Sequence, residues 1–169
     1  MVEAKTILPK RIPNRLKGYD YSQEGMYFIT ICVKDNKPLL GAIVGAATCR
    51  PHNQLSKYGE IVNKTINNIP GIYPGVWINK YIIMPNHMHL LIAIEINGRQ
   101  VAAPTMSRII GNMKRMVSVC IGFSPWQKSF HDHIVRCEKD YLRIAEYIEN
   151  NPAKWEADRF YVSSGNTPE

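Results

Sequence analysis

Several features are missing from this chain, and each absence closes off a class of protein. No apolar run approaches the roughly 20 residues that a bilayer-spanning helix needs, so no helical membrane span is expected. The four cysteines, Cys32, Cys49, Cys120 and Cys137, are widely spaced and contain no CxxC pair. That argues against a zinc knuckle or a disulfide framework and predicts reduced, mostly buried thiols. The opening residues carry scattered charges (Glu3, Lys5, Lys10, Arg11) in place of a signal-peptide apolar stretch, so the expected compartment is cytoplasmic. No internal repeat and no low-complexity segment breaks the pattern. Acidic residues are in short supply: 14 Asp and Glu face 21 Lys and Arg, giving a formal charge of +7. A small basic domain of this kind suits a polyanionic partner, most simply nucleic acid.

What is present describes one globular domain. Hydrophobic residues make up 45% of the 169 and charged residues 21%, enough for a real core. Residues 1–20 form a basic, proline-containing lead-in arm, residues 21–160 the domain, and residues 161–169 a tail. Tyr27 to Val33 is rich in β-branched and aromatic residues and reads as a buried strand. Leu39–Thr48 suggests a short second strand, and Pro51-His52-Asn53 punctuates the chain before a helix over Leu55–Asn68. Trp77–Met84 predicts a strand, Pro85 a bulge or interruption, and the residues from His89 to Ile96 a further strand ending at the turn signal Asn97-Gly98. A second helix is expected over Thr105–Ile121, with Met106, Ile109, Ile110, Met113, Val117 and Cys120 as its apolar stripe. Trp126–Val135 predicts another strand. A third helix runs from Lys139 to Asn150, with Leu142, Ile144, Ala145 and Ile148 on its apolar side and Pro152 as its stop. Strands and helices in this irregular order indicate an α+β fold with an antiparallel sheet.

Two segments carry chemistry. In Met84-Pro85-Asn86-His87-Met88-His89, two histidines stand two apart at the start of a strand, so both imidazoles project from one face. In the third helix, Tyr147 and Asn151 are four apart and differ by only about 40° around the axis, which puts both on one flank beside the core stripe. If that flank lies over the histidines, one pocket holds two imidazoles, an amide oxygen and a phenol.

This set resembles the HUH single-strand nucleases, in which two histidines flank a large apolar residue. It is most similar to the single-tyrosine transposases of the simplest bacterial insertion sequences, and within them to the REP-associated branch. The matching segments are Pro-Asn-His-Met-His-Leu-Leu at 85–91 and Tyr-Ile-Glu-Asn-Asn-Pro at 147–152. Phe-His-Asp-His-Ile-Val-Arg at 130–136, Ser-Arg-Ile-Ile-Gly-Asn-Met-Lys at 107–114 and Arg-Leu-Lys-Gly-Tyr-Asp-Tyr at 15–21 add to them. The resemblance implies a central antiparallel sheet with a ferredoxin-like core. It implies that Tyr147 attacks a DNA phosphodiester, leaving a 5′-phosphotyrosine link and a free 3′-hydroxyl, and that a second strand end later rejoins the DNA. His87, His89 and the Asn151 side-chain oxygen would hold one divalent ion, Mg²⁺ by family analogy with Mn²⁺ able to substitute. Many insertion-sequence relatives carry glutamine where this chain has Asn151, and asparagine resembles the REP-associated branch. The implied partner is single-stranded DNA beside a hairpin, here palindromic repeats. The protein would act as a monomer or homodimer in the bacterial cytoplasm, at the nucleoid when bound to DNA.

Other residues compete for these roles. Tyr141, six residues before Tyr147, is the rival nucleophile but sits about 120° away around the helix. His131 and His133 form a second alternating pair, read as DNA-contacting or structural. Arg11, Arg15, Arg108, Lys114, Arg115, His131 and Arg136 are the expected DNA contacts, of the kind that bind phosphate with little sequence choice. Trp126 and the N-terminal tyrosines are weighed as stacking surfaces for unpaired bases, with Trp126 better explained as core. Two other functions fit parts of the pattern. One is a non-catalytic nucleic-acid-binding module on the same fold, the other a histidine-metal phosphoesterase acting on small nucleotides.

Overall fold

The structure, a computed structural model, describes residues 19–45, 50–95 and 104–162. Arg11, Arg15 and most of the lead-in arm, the Asn97-Gly98 turn signal, Cys49 and the tail beyond 162 lie outside these residues. No described helix is long and apolar enough to cross a membrane.

The centre is a four-stranded antiparallel sheet in the order β4-β5-β1-β6, built from β1 (Gly25–Cys32), β4 (Val76–Ile83), β5 (His87–Ile94) and β6 (His131–Val135). Between β1 and β4 come a hairpin of β2 (Gly41–Val44) and β3 (His52–Leu55), then α1 (Lys57–Asn67) and the one-turn α2 (Ile69–Ile72). Helix α3 (Met106–Ile121) joins β5 to β6. The connection of the four main strands is the split β-α-β-β-α-β of a ferredoxin-like core. Helix α4 (Glu138–Asn150) follows β6.

Strand alternation sorts the side chains into two layers. On one face Tyr27, Ile29 and Ile31 of β1 and Met88, Leu90 and Ile92 of β5 pack with Val62 and Ile66 of α1 and with Met106, Ile109, Ile110, Met113 and Val117 of α3. On the other face Leu91, Phe28 and Met26 pack with Ile144, Ile148 and Tyr141 of α4. The second layer is thin, and α4 is its only helical cover among the described residues. Registry aligns Thr30 with His89 on one side and with His131 on the other, so all three belong to the α4 face.

Local chemistry sets the boundaries. Ser56 caps α1: its Oγ accepts from the Tyr58 and Gly59 amides and donates to Leu39 O at 2.7 Å, a standard way to satisfy first-turn donors. A side chain at Gly59 would meet Leu40 O at 2.1 Å, so only glycine lets the helix approach β2's lead-in so closely. Thr105 caps α3, and Gly122, at φ 84°, closes it in the left-handed region.

Several expectations are corrected. Residues 52–55 are the strand β3, paired with β2, not a punctuation before a helix; the helix begins at Lys57. The interruption expected at Pro85 is present, since β4 ends at Ile83 and β5 begins at His87, and a separate register shift that was not expected falls between Ile78 and Lys80. Pro85 occupies a tight turn whose carbonyls are used elsewhere: Pro85 O accepts from Leu40 N and Asn86 O from Val33 N, both at 2.8 Å. The strand expected from Trp126 is confined to β6, because Trp126 makes only an isolated bridge to Val33 and buries its ring. Tyr19 and Tyr21 likewise pack against the core. Leu142 is exposed, leaving Ile144, Ala145 and Ile148 as α4's buried face. Of the described cysteines only Cys32 is buried; Cys120 and Cys137 are exposed.

Candidate active site

The β4–β5 turn delivers His87 and His89 onto the α4 face, and α4 delivers Tyr147 and Asn151 above them. The two imidazole Nε2 atoms lie 3.1 Å apart, and Tyr147 Oη is 3.2 Å from His89 Nε2. His87, His89 and Asn151 are 0%, 1% and 2% exposed, while Tyr147 keeps 39% of its surface open. The pocket is thus dry at its floor and open at the Tyr147 side chain.

Each imidazole is oriented from behind. The Asn86 Nδ2 donates to Asn36 O at 3.0 Å and Phe160 O at 2.7 Å, which turns its Oδ1 to His87 Nδ1 at 2.9 Å. An amide oxygen only accepts, so His87 carries its proton on Nδ1 and presents Nε2 as a bare lone pair. His89 Nδ1 meets Thr30 Oγ1 at 2.9 Å, and the Phe28 ring stacks on His89 with centroids 5.2 Å apart. Such rear partners fix ring orientation and ligand basicity in metal sites. Burial holds both imidazoles neutral: His87 is pushed down to about 4, and His89 is lowered by burial and then by His87 beside it.

Sequence reasoning missed the residues that follow α4. A 3-10 turn over Pro152–Ala157 folds the chain back so that Asp158, Arg159 and Phe160 lie across the site. Asp158 Oδ2 accepts from Tyr147 Oη at 3.2 Å and from Asn151 Nδ2 at 3.1 Å. Ligand-type atoms of His87, His89 and Asp158 all lie within 4.8 Å of one another. Asn151 Oδ1, fully buried, has no hydrogen-bond partner. Two neutral imidazoles, a carboxylate and an orphaned amide oxygen form a donor set that fits a divalent cation; a buried polar atom without a partner is otherwise costly. The Phe160 ring sits 4.5 Å from the His87 ring, and the Arg159 guanidinium lies 4.5 Å over Phe160. Burial and then the Asp158 charge push the Tyr147 phenol up to about 12, while the positive charge of Arg159 works in the opposite direction. The only sequence signal for this segment was its aromatic and charged content, and no periodicity marked its path.

The remaining candidates are dispersed. Tyr141 donates to Asn79 Oδ1 at 3.1 Å, which takes it away from the histidines. His131 is exposed on the edge strand, and His133 Nε2 lies 2.6 Å from Asp140 Oδ2. Arg136 is exposed just after β6. Arg108 and Arg115 sit on α3, which covers the sheet face opposite the site. The expected DNA contact at Lys114 is engaged internally: its ammonium donates to Gln127 O at 2.6 Å and Ser129 O at 3.2 Å, tying down the loop before β6.

The sheet carries paired imidazoles beneath a helix-borne tyrosine, the arrangement that the resemblance to single-tyrosine HUH proteins implied, and the comparisons with known proteins point the same way. No family model matches the chain. A Haemophilus influenzae protein of unassigned function is 37% identical over 169 residues, covering 88% of this chain and 91% of that one. A candidate REP-associated tyrosine transposase from the same organism is 23% identical over 145 residues, 80% of this chain and 74% of its own. An Escherichia coli REP-associated tyrosine transposase is 30% identical over 77 residues, 46% of this chain and 44% of its own. In fold, the chain is similar to a REP-associated tyrosine transposase solved with a REP hairpin bound. That match has a TM-score of 0.63 and 21% identity and covers 83% of this chain and 73% of the other. The chain is thus related in sequence to REP-associated tyrosine transposases and shares the fold of one of them.

Proposed function

We propose that this protein is a metal-dependent DNA strand transferase that cuts and rejoins single-stranded DNA beside a hairpin, using Tyr147 as nucleophile. The observation that carries this is the placement of Tyr147 Oη, exposed at the mouth of the pocket and 3.2 Å from the buried His89 Nε2. The Tyr147 oxygen attacks the scissile phosphorus; the new O–P bond forms as the bond to the 3′-oxygen breaks, leaving a 5′-phosphotyrosine and a 3′-hydroxyl. A phenol held up to about 12 is a weak nucleophile at neutral pH and needs charge stabilisation as its proton leaves. His87, His89 and Asn151 would hold the divalent ion, which when bound acts as a Lewis acid on the phosphate and a template for in-line attack. Thr30 and Asn86 keep both imidazoles aimed at that position. Arg159 adds a fixed positive charge at the mouth, suited to a phosphate oxygen. Because a second strand end can attack the phosphotyrosine, bond energy is retained and no nucleotide cofactor is needed. Hairpin DNA as substrate follows from the relative solved with a REP hairpin and from the basic composition of this chain.

The decisive test is a labelled single-stranded oligonucleotide carrying a hairpin, incubated with the full chain and Mn²⁺ or Mg²⁺ and run on a denaturing gel. The wild type is expected to give a covalent adduct. Tyr147→Phe is expected to abolish it while hairpin affinity stays within about threefold. An undiminished adduct from that variant would refute the assignment.

A further inference from the structure

The ligand set expected from the sequence contains two imidazoles and an amide, all neutral. Such a set leaves a dication's full charge uncompensated in a pocket whose floor is inaccessible to water, and burying unbalanced charge is costly. Arg159 makes this worse: it forms no ion pair among the described residues, and its positive charge acts on His87, His89 and Tyr147. One anion faces the same point. Asp158 comes from the turn after α4, outside the helix that carries Tyr147 and Asn151.

We infer that Asp158 is a ligand of the same divalent ion, supplying the negative charge that His87, His89 and Asn151 lack. This inference rests on the metal-dependent reading of the site proposed above. Its carboxylate lies within 4.8 Å of both histidine ligand atoms. Donors sharing one small dication stand on the order of 3–4.5 Å apart, given bond lengths near 2.1 Å. The carboxylate is built in rather than loose. Asp158 Oδ1 accepts from the Phe160 amide at 2.8 Å. The main chain on either side is closed by Asp158 N to Trp155 O at 3.0 Å and Tyr161 N to Asp158 O at 2.9 Å. Oδ2 is the atom turned inward, touching Tyr147 Oη and Asn151 Nδ2. It therefore lies between the nucleophile and the amide whose oxygen has no partner. A hard anionic oxygen also moves the donor set from one suited to zinc or copper towards magnesium and manganese.

Isothermal titration of the full-length protein with MnCl₂ and without DNA tests the assignment independently of catalysis. Asp158→Asn keeps the shape and removes the charge, and is expected to weaken Mn²⁺ binding at least tenfold. Glu60→Gln, an exposed charge change on α1 across the sheet from the site, should stay within about twofold of the wild type. An Asp158→Asn protein that binds Mn²⁺ within twofold of the wild type overturns the inference and reduces Asp158 to a residue that positions Tyr147. Should that variant not fold, infrared difference spectra of wild type labelled with ¹³C-carboxyl aspartate decide the matter. A carboxylate band that shifts on Mn²⁺ addition supports ligation, and an unchanged spectrum refutes it. The two readings fail separately. Covalent adduct from the wild type with unchanged Mn²⁺ affinity in Asp158→Asn removes only the ligand role. Loss of Mn²⁺ binding in a family of variants whose wild type forms no adduct removes only the nuclease.

Discussion

At the scale of single residues, the site depends as much on what stands behind the imidazoles as on the imidazoles themselves. Thr30 Oγ1, 2.9 Å from His89 Nδ1, fixes the ring that also touches Tyr147. Thr30→Val is nearly isosteric and removes only the hydroxyl. It is expected to lower Mn²⁺ affinity by about 10- to 100-fold, the usual cost of losing a partner behind a ligand, with an unchanged circular dichroism spectrum. The check is the same titration used for Asp158. At this scale the sequence was legible wherever spacing carried the information. The two-residue interval of His87 and His89 and the four-residue interval of Tyr147 and Asn151 each predict a shared face, and the structure brings both pairs together. Asp158 was illegible for a physical reason. It lies seven positions after Asn151, and its path runs through a 3-10 turn with a non-helical residue, Lys154, inside it. No fixed period connects those two positions, so no sequence pattern could place the carboxylate. Thr30 was hidden differently, since only strand registry across the sheet puts it opposite His89.

At the scale of elements, α4 has two tasks that use different sides of one helix. Ile144 and Ile148 dock it on Leu91 and Phe28, and Tyr147 and Asn151 hang from the adjacent flank. The docking cluster is small beside the core on the other face. Ile148→Ala is expected to cost about 2–5 kcal/mol, felt first as faster amide exchange across 138–150 while β1 and β5 stay protected. Adduct formation should fall in parallel, because the nucleophile is held by that packing. Uniform exchange across the whole domain would contradict a separately docked helix. Strong periodicity made α1, α3, α4, β1 and β5 readable. Strand β3 was not, because His52-Asn53-Gln54 has the composition of a loop and is held as a strand by pairing with β2. The end of the expected Trp126–Val135 strand was misplaced because Trp126 is apolar for burial, not for pairing.

At the scale of the molecule, charge and site are distributed unequally about the sheet. The histidines, Tyr147, Asp158 and Arg159 occupy one face, and Arg108 and Arg115 sit on the helix that covers the other. The double variant Arg108→Ala, Arg115→Ala is expected to leave the rate of adduct formation at saturating DNA within about threefold of wild type. Any loss should appear in hairpin affinity and its salt dependence, as for contacts to phosphate alone. Single-turnover cleavage with a parallel salt titration checks this, and a large rate defect with unchanged affinity would mean the two faces are coupled. Net charge was readable from composition alone, but its arrangement was not, since only the packing of α3 reveals which basic residues share a side with the chemistry.

The folding back of residues 152–160 over His87 has one more consequence, and it concerns the order in which the chain is made. The ribosome completes β1, the hairpin of β4 and β5, and α3 long before it reaches Tyr147, and it reaches Asp158 last of all. A nascent chain halted between Val135 and Tyr147 has all four strands and both imidazoles but lacks the rest of the proposed centre. On the proposed function, messages cut short or translation that stalls would therefore yield inert fragments. The chemistry proposed for the site would become available only once residues 147–158 have been made.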